Sequence, residues 1–123
     1  MSKQVSYSKM EKEVRPMLRE SINRAESTED VKKFFVYAAK ELLDNILEGR
    51  ASLGHEDISL APDKTEGFTL SQTLMRNSHF KEAFRDSDLP HILRRMAEFA
   101  LKRYQHLAKH PDKTESKMYP IPG

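Results

Sequence analysis

The sequence predicts an all-α protein: a four-helix bundle-like single domain with a long loop between helices 2 and 3 and a flexible C-terminal tail. Apolar side chains recur at spacings of three and four residues over most of the chain, which is the spacing of one helix face. Residues that favour the starts and ends of helices lie at the edges of these segments. The length of 123 residues suits one domain. We therefore expect a helical domain over residues 1–110 and a tail over residues 111–123.

Helices 1 and 2 are predicted before residue 50. Helix 1 runs from about residue 8 to residue 25. Pro16 within it removes a backbone hydrogen bond, so the helix either begins later or kinks at the proline. Helix 2 has Ser27 as its cap, Asp30 three residues later, and Gly49 at its end, where a left-handed residue is favoured. Its apolar side chains cover more than half of its circumference, which makes it the central helix.

The second half of the chain is predicted to contain a long loop and two further helices. Residues 50–68 are rich in Gly, Ser, Pro and acids, and lack helical periodicity. A strand in HEDISLA is not excluded, but no partner strand is visible. Thr69 with Gln72 forms a capping box that opens helix 3, which continues or restarts at Ser78. Helix 4 occupies residues 88–110.

The composition limits the classes of function. Hydrophobic residues make up 37% of the chain and charged residues 33%, so the core must be small and well patterned. The net charge of +2 gives no general case for binding nucleic acid or anionic membranes. The absence of cysteine excludes disulfides, thiol catalysis and zinc-thiolate sites. Because the apolar runs are too short for a membrane span or a signal peptide, we expect a soluble, cytoplasmic protein without a membrane partner.

Helix 4 has a basic face, which is the main candidate binding surface. Its residues are His91, Arg94, Arg95, Lys102, His106 and Lys109. Such a stripe could contact phosphates of nucleic acid or of another anionic polymer. It could equally be a solvated face, because Glu98 is spaced to pair with Arg94, Arg95 and Lys102 along the helix. No aromatic side chain within the stripe is placed to stack on bases, which favours the solvated face.

Helix 4 is followed by the sequence His-Pro-Asp-Lys at residues 110–113. This motif after a basic helix resembles the signature of the J-domain family, whose members engage a heat-shock chaperone. The resemblance implies a partner-contacting turn at residues 110–112, with a supporting basic face at Lys102, Arg103 and Lys109. A J-domain has a further helix packed after the motif, whereas only a short segment with two prolines follows here. We therefore interpret His-Pro as a helix stop.

Histidines are common metal ligands, and their spacing here can be compared with that of known sites. His106 and His110 have the four-residue spacing that places two imidazoles on one side of a helix, and the nearest additional candidates are His55, Glu56 and Asp57. No Glu-x-x-His pair of the di-iron type is present. No phosphate-binding loop or nucleophile elbow is present either. We therefore predict surface histidines, with no metal, no cofactor and no catalytic residue.

The leading interpretation is a small non-catalytic helical interaction or regulatory protein. Its partner would be another protein or a second copy, because the apolar arcs of helices 2 and 4 exceed what one bundle needs. The expected dimer contacts are Leu43, Leu47 and Leu101. The tail residues Met118, Tyr119 and Ile121 could pack on the domain or bind a partner. The competing interpretations are a binder of anionic polymer through helix 4 and a metal-dependent enzyme.

Overall fold

The computed structural model describes residues 6–51 and 53–109 of the chain. These residues form a mainly α-helical structure, as predicted, with one small hairpin. The elements are α1 (Ser8–Arg24), α2 (Thr28–Leu47), β1 (Ile58–Leu60), β2 (Phe68–Leu70), α3 (Gln72–Arg76), α4 (Ser78–Arg85) and α5 (Leu89–Lys109). The predicted tail, the motif at residues 110–113 and the predicted domain end at residue 110 lie outside the described residues.

The core is built by the three long helices α1, α2 and α5. The buried side of α2 repeats every three or four residues, through Val31, Phe35, Ala38, Leu42 and Ile46. Full burial of a large apolar side chain stabilises a fold by about 1.5–3 kcal/mol, so the large side chains of this row contribute substantially to stability. α2 packs against α1, α5 and β1, and is therefore the central helix that the sequence predicts. A four-helix bundle is not confirmed, since three helices of the described residues are long and the other two are short.

α1 is continuous through Pro16. The helix begins at Ser8, so the later start considered from the sequence is not observed, and the proline ring is exposed as its spacing predicts. The side chain of Tyr7 does not cap the helix. Instead, the carboxylate of Asp88 accepts hydrogen bonds from the Tyr7 backbone N–H at 2.8 Å and from Ser6 Oγ at 3.0 Å. The N-terminus of α1 is thus capped by a residue that immediately precedes α5.

Both predicted ends of α2 are confirmed. Ser27 Oγ accepts a hydrogen bond from the Asp30 backbone N–H at 3.1 Å, and the Asp30 carboxylate accepts one from the Glu26 backbone N–H at 3.1 Å. At the other end, Gly49 has a φ of 84°, as expected for a left-handed helix stop. Glu48 before it is also left-handed, with a φ of 52°. The chain leaves the helix through these two residues.

The prediction of a long loop without a partner strand is wrong. β1 pairs with β2 in an antiparallel hairpin, in the register Ile58↔Leu70, Ser59↔Thr69 and Leu60↔Phe68. Three-residue strands carry too few residues to show a period-2 pattern in the sequence, which is why the pairing was not visible. The hairpin covers α2 on one side, and its Gly67 lies against α5.

The predicted third helix is also corrected. Thr69 belongs to β2, and the helix cap is Ser71, whose Oγ accepts a hydrogen bond from the Leu74 backbone N–H at 3.0 Å. The alternative of a restart at Ser78 is confirmed, because Asn77 ends α3 and its side chain caps α4. The result is two short helices in place of one. The break occurs at Asn77 because its backbone is extended and its Oδ1 is committed to the Phe80 N–H.

The leucines expected at a dimer interface are covered within the chain. Leu43 is fully buried, Leu47 is 2% exposed, and Leu101 is partly buried beside Gly67. Part of the apolar surface of α2 that the sequence shows as surplus is occupied by the hairpin, through β1. Leu43 and Leu47 therefore have almost no exposed surface for a dimer contact, whereas Leu101 keeps part of its own.

Candidate binding groove between α1 and α5

α1 and α5 run in the same direction along one side of the molecule. Contacts advance together along both helices, from Tyr7 with Asp88, through Glu11 with Arg95, to the Ala25 carbonyl, which accepts a hydrogen bond from Arg103 Nη2 at 2.7 Å. Both helices pack more extensively on α2 than on each other. An open groove therefore lies between them.

This feature, called the α1–α5 groove below, has a volume of about 250 Å³. Its apolar floor consists of Leu18, Met96 and Phe99. Leu18 and Met96 are buried, whereas Phe99 is only partly buried and keeps part of its ring accessible. The charged residues of the rim are Glu11, Arg15, Arg19 and Arg95. The groove thus combines apolar and cationic groups within one small surface.

Glu11 is the acid of the groove, and its charge is already matched. Its side chain is only 6% exposed, and its two oxygens accept hydrogen bonds from Arg95 Nη2 at 2.8 Å and Arg95 Nε at 3.1 Å. Arg15 Nη2 lies 3.5 Å from the same carboxylate. The hydrogen bond with Glu11 raises the pKa of Arg95 above its ordinary value, while burial opposes this rise. Glu11 therefore holds both arginines at the rim of the groove.

The third arginine, Arg19, is exposed one helical turn after Arg15. It makes no ion pair or side-chain hydrogen bond with any residue that the structure describes. With Glu11 as the one acid among the lining residues and three arginines around it, the rim carries a net charge of +2. Arg19 is the rim cation that a ligand's carboxylate or phosphate group could bind without breaking an ion pair with Glu11.

A second depression of about 260 Å³ continues the groove toward the C-terminal half of α5. It shares Phe99 with the first depression, and its other lining residues are Ile22, Asn23, Lys102, Arg103 and His106. Arg103 is partly buried, and its Nε is buried without a hydrogen-bond partner in the described part of the chain. The line along which α1 and α5 meet, called the α1–α5 seam below, therefore carries apolar and cationic side chains over more than one helical turn.

All six residues of the predicted basic face are exposed on α5: His91, Arg94, Arg95, Lys102, His106 and Lys109. The structure divides them into two groups. Arg95, Lys102 and His106 line the two depressions, whereas His91, Arg94 and Lys109 do not. The pairing of Arg95 with Glu98 that the spacing allows is not observed, because Arg95 turns toward Glu11 on α1.

Sequence reasoning missed Arg15 and Arg19 as members of the candidate site. A signal was available, since Glu11, Arg15 and Arg19 follow one another at four-residue spacing and so share one side of a helix. The sequence could not show which helix packs beside α1. Only the packing of α1 beside α5 places Arg15 and Arg19 opposite Arg95 and Phe99.

Of the residues considered as metal ligands, those that the structure describes are not brought together, and His110 lies outside the described residues. His55 lies against the ring of Tyr37, with 5.2 Å between ring centroids. The Asp57 carboxylate is committed to the hairpin, where it accepts hydrogen bonds from the Gly54 backbone N–H at 2.7 Å and from Ser71 Oγ at 2.6 Å. Over residues 6–51 and 53–109, no three His, Cys, Asp or Glu side chains form a group suited to a metal ion.

A wider and more open depression lies between α2 and the hairpin. It has a volume of about 460 Å³, and its lining includes Lys33, Tyr37, His55 and Leu60. Lys33 and Tyr37 are exposed there. Lys33 and Tyr37 therefore match the exposed positions of the α1–α5 groove in exposure, but they lie on a different face of the molecule.

Comparison of the chain with family models, with curated proteins and with solved structures found no match. Within the described residues, no helix combines the length and the apolar character that crossing a membrane requires.

Proposed function

We propose that this protein is a small non-catalytic interaction protein, and that its partner protein binds in the α1–α5 groove. One observation carries the proposal: Arg15, Arg19 and Arg95 surround an apolar floor, while the acid beside them is buried and already paired. Arginine and aromatic side chains are enriched at the energetic centres of protein interfaces. A partner with both apolar and acidic side chains would complement the floor and the rim together.

The size of the groove favours a protein segment over an independent small ligand. Pockets for drug-sized molecules usually measure about 300–1,000 Å³ and enclose most of the ligand. Each of the two depressions, at about 250 and 260 Å³, is smaller than that and remains open on one side. An open site of this size suits one or two side chains that project from a larger surface. The rest of the partner would then contact α1 and α5 outside the groove.

Binding of an anionic polymer is the second candidate function. It is favoured by the position of Arg15 and Arg19, which extend the basic side of α5 across the groove, and by Phe99, whose ring lies between the two depressions. Phosphate contacts of this kind would make affinity fall steeply with salt concentration. The apolar floor of Leu18 and Met96 offers nothing to a phosphate backbone, which is why a protein partner is preferred.

Site-specific photocrosslinking in the source cells tests the proposal. A photoreactive amino acid replaces Asn23, which is exposed in the second depression, and in a matched control it replaces Tyr37 on α2. We expect a discrete protein adduct from position 23 that is absent from position 37 and is lost when Arg19→Glu is added.

Three outcomes would contradict the proposed function. These are no adduct from position 23, the same adducts from positions 23 and 37, and a position-23 adduct that persists unchanged with Arg19→Glu. An adduct with nucleic acid in place of protein would support the second candidate.

A further inference from the structure

The α1–α5 seam offers two depressions in a line, with Phe99 between them. Along α5 they extend from Arg95 to His106. At 1.5 Å per residue this distance is about 16 Å, which corresponds to roughly three turns of an α-helix. The surface is therefore long enough for a short structured segment.

Both walls of the seam are α-helices, and this restricts the conformation of an occupant. Apart from the one hydrogen bond that Pro16 removes, the backbone N–H and C=O groups inside α1 and α5 are bonded within each helix. An extended peptide in the seam would find no partners for its backbone N–H and C=O groups, whereas at the edge of a sheet it would find them. A helical occupant satisfies these groups internally and can bring an apolar stripe to the floor.

The apolar floor also sets a spacing. Leu18 in the first depression and Ile22 in the second are four residues apart on α1, which is about 6 Å along the helix. An occupant that fills both depressions must present large apolar side chains at a similar separation. Positions i and i+4 of an α-helix meet this requirement, and position i+7 would continue the stripe toward His106.

The cations that remain available lie on opposite sides of this floor. Arg19 is exposed on α1 and Lys102 is exposed on α5. Neither forms an ion pair or a side-chain hydrogen bond with the residues that the structure describes. Carboxylates that flank an apolar stripe on both sides would reach them, and arginine can bind a carboxylate through two parallel hydrogen bonds.

Resting on the proposed function, we infer that an acidic amphipathic α-helix of about three turns from a partner protein occupies the α1–α5 groove together with the second depression that continues it. Its apolar side chains at i, i+4 and i+7 enter the two depressions on either side of Phe99. Its Asp and Glu side chains flank this stripe and bind Arg19 and Lys102. Charge and periodicity are both required for binding.

Fluorescence anisotropy with the full chain and three labelled peptides tests this inference. The first peptide is a designed helix with leucines at i, i+4 and i+7 and flanking glutamates; the second is a scrambled version of the same composition, and the third carries a central proline. We expect the first to bind at least about tenfold more tightly than the other two. Arg19→Glu weakens its binding by about tenfold, whereas Lys33→Glu, which changes the net charge equally on the other face, leaves it unchanged.

Equal binding of the three peptides, or binding that is indifferent to Arg19→Glu, would overturn the inference. If the proline peptide binds equally while the position-23 protein adduct still forms, the helical occupant is wrong and the interaction function stands. If single-stranded RNA binds and no peptide does, both fail. If the chain forms a dimer that Arg19→Glu dissociates, the groove is assigned to a second copy of the chain. If the Tyr119→Ser variant binds the peptide more tightly than the unchanged chain does, the groove is assigned to the chain's own C-terminal segment. Either result overturns the inference.

Discussion

Glu11 and Arg95 form a two-point ion pair, although 84 positions separate them in the sequence. The side chain of Glu11 is 6% exposed and that of Arg95 is 52% exposed, so the pair lies at the boundary between the core and the solvent. It joins α1 to α5 and fixes the orientation of a guanidinium at the rim of the groove. The same contact therefore supports both the fold and the candidate site.

Replacing Glu11 by Gln should destabilise the protein by about 1–2 kcal/mol, because a hydrogen bond to a charged group is worth more than a neutral one. Arg95 and Arg15 remain half exposed and stay solvated, which limits the loss. Urea unfolding measures this difference. The control is Glu13→Gln at an exposed position of the same helix, which should change stability by less than about 0.5 kcal/mol. Equal effects of the two substitutions would show that the Glu11 pair does not stabilise the fold.

Replacing Asp88 by Ala should release the N-terminus of α1. The Tyr7 backbone N–H and Ser6 Oγ would lose their acceptor, and loss of a capping side chain typically costs about 1 kcal/mol. Amide exchange should accelerate in the first turn of α1 while α2 keeps its protection. Asp63→Ala in the exposed hairpin loop is the control. Unchanged exchange in the first turn of the Asp88→Ala variant would disprove capping across the two helices.

Gly67 and Gly49 should respond differently to replacement by Ala. Both have left-handed backbones, with φ values of 85° and 84°, so each substitution costs about 1–2 kcal/mol in backbone strain. A Cβ on Gly49 would meet nothing within 4 Å, whereas one on Gly67 would lie 3.0 Å from Ala97 Cβ and 3.1 Å from Leu101 Cδ1. Overpacking should add about 1–3 kcal/mol at Gly67 alone. Equal losses in thermal or urea unfolding would mean that the hairpin does not pack tightly on α5.

The pair of Arg85 and Asp86 gives a pH prediction. The guanidinium donates hydrogen bonds to the carboxylate at 3.1 and 3.2 Å, which lower the pKa of Asp86 below its ordinary value of 3.8. Because this pKa is lower in the folded state, the stabilisation is present above pH 3.8 and is lost as the pH falls through the folded pKa.

Arg85→Ala should raise the pKa of Asp86 toward 3.8, as followed by NMR titration of its carboxyl carbon. Arg76→Ala, at the end of α3, is the control and should leave that pKa unchanged. A pKa that does not respond to Arg85→Ala would show that the pair is not formed in solution.

Local signals in the sequence were sufficient where one element contains the whole interaction. Ser27 and Asp30 lie within one turn of each other, and Gly49 ends the same helix, so both ends of α2 could be predicted. The hairpin could not be predicted, because the register of its two strands depends on long-range contacts. The spacing of Thr69 to Gln72 fits a capping box and predicts that a helix starts there, but pairing with Ser59 places Thr69 in a strand.

The candidate site was predicted only in part, for a related reason. The α5 residues of the groove were found from their periodicity, as a basic face that includes Arg95 and Lys102. The residues of α1 that form the other wall of the groove also have a clear periodicity. A helical pattern, however, does not show which helix packs beside which. The ion pair of Arg95 with Glu11 depends on that placement, whereas local spacing along α5 points to Glu98.

The most direct test of the α1–α5 groove as a binding surface is an NMR map of amide shifts in the full chain during titration with the acidic helical peptide. The account predicts that the largest changes occur at Leu18, Arg19, Phe99 and Lys102, and that Lys33 and Tyr37 are unaffected. Changes centred on Lys33 and Tyr37, or no saturable changes at any residue, would contradict it.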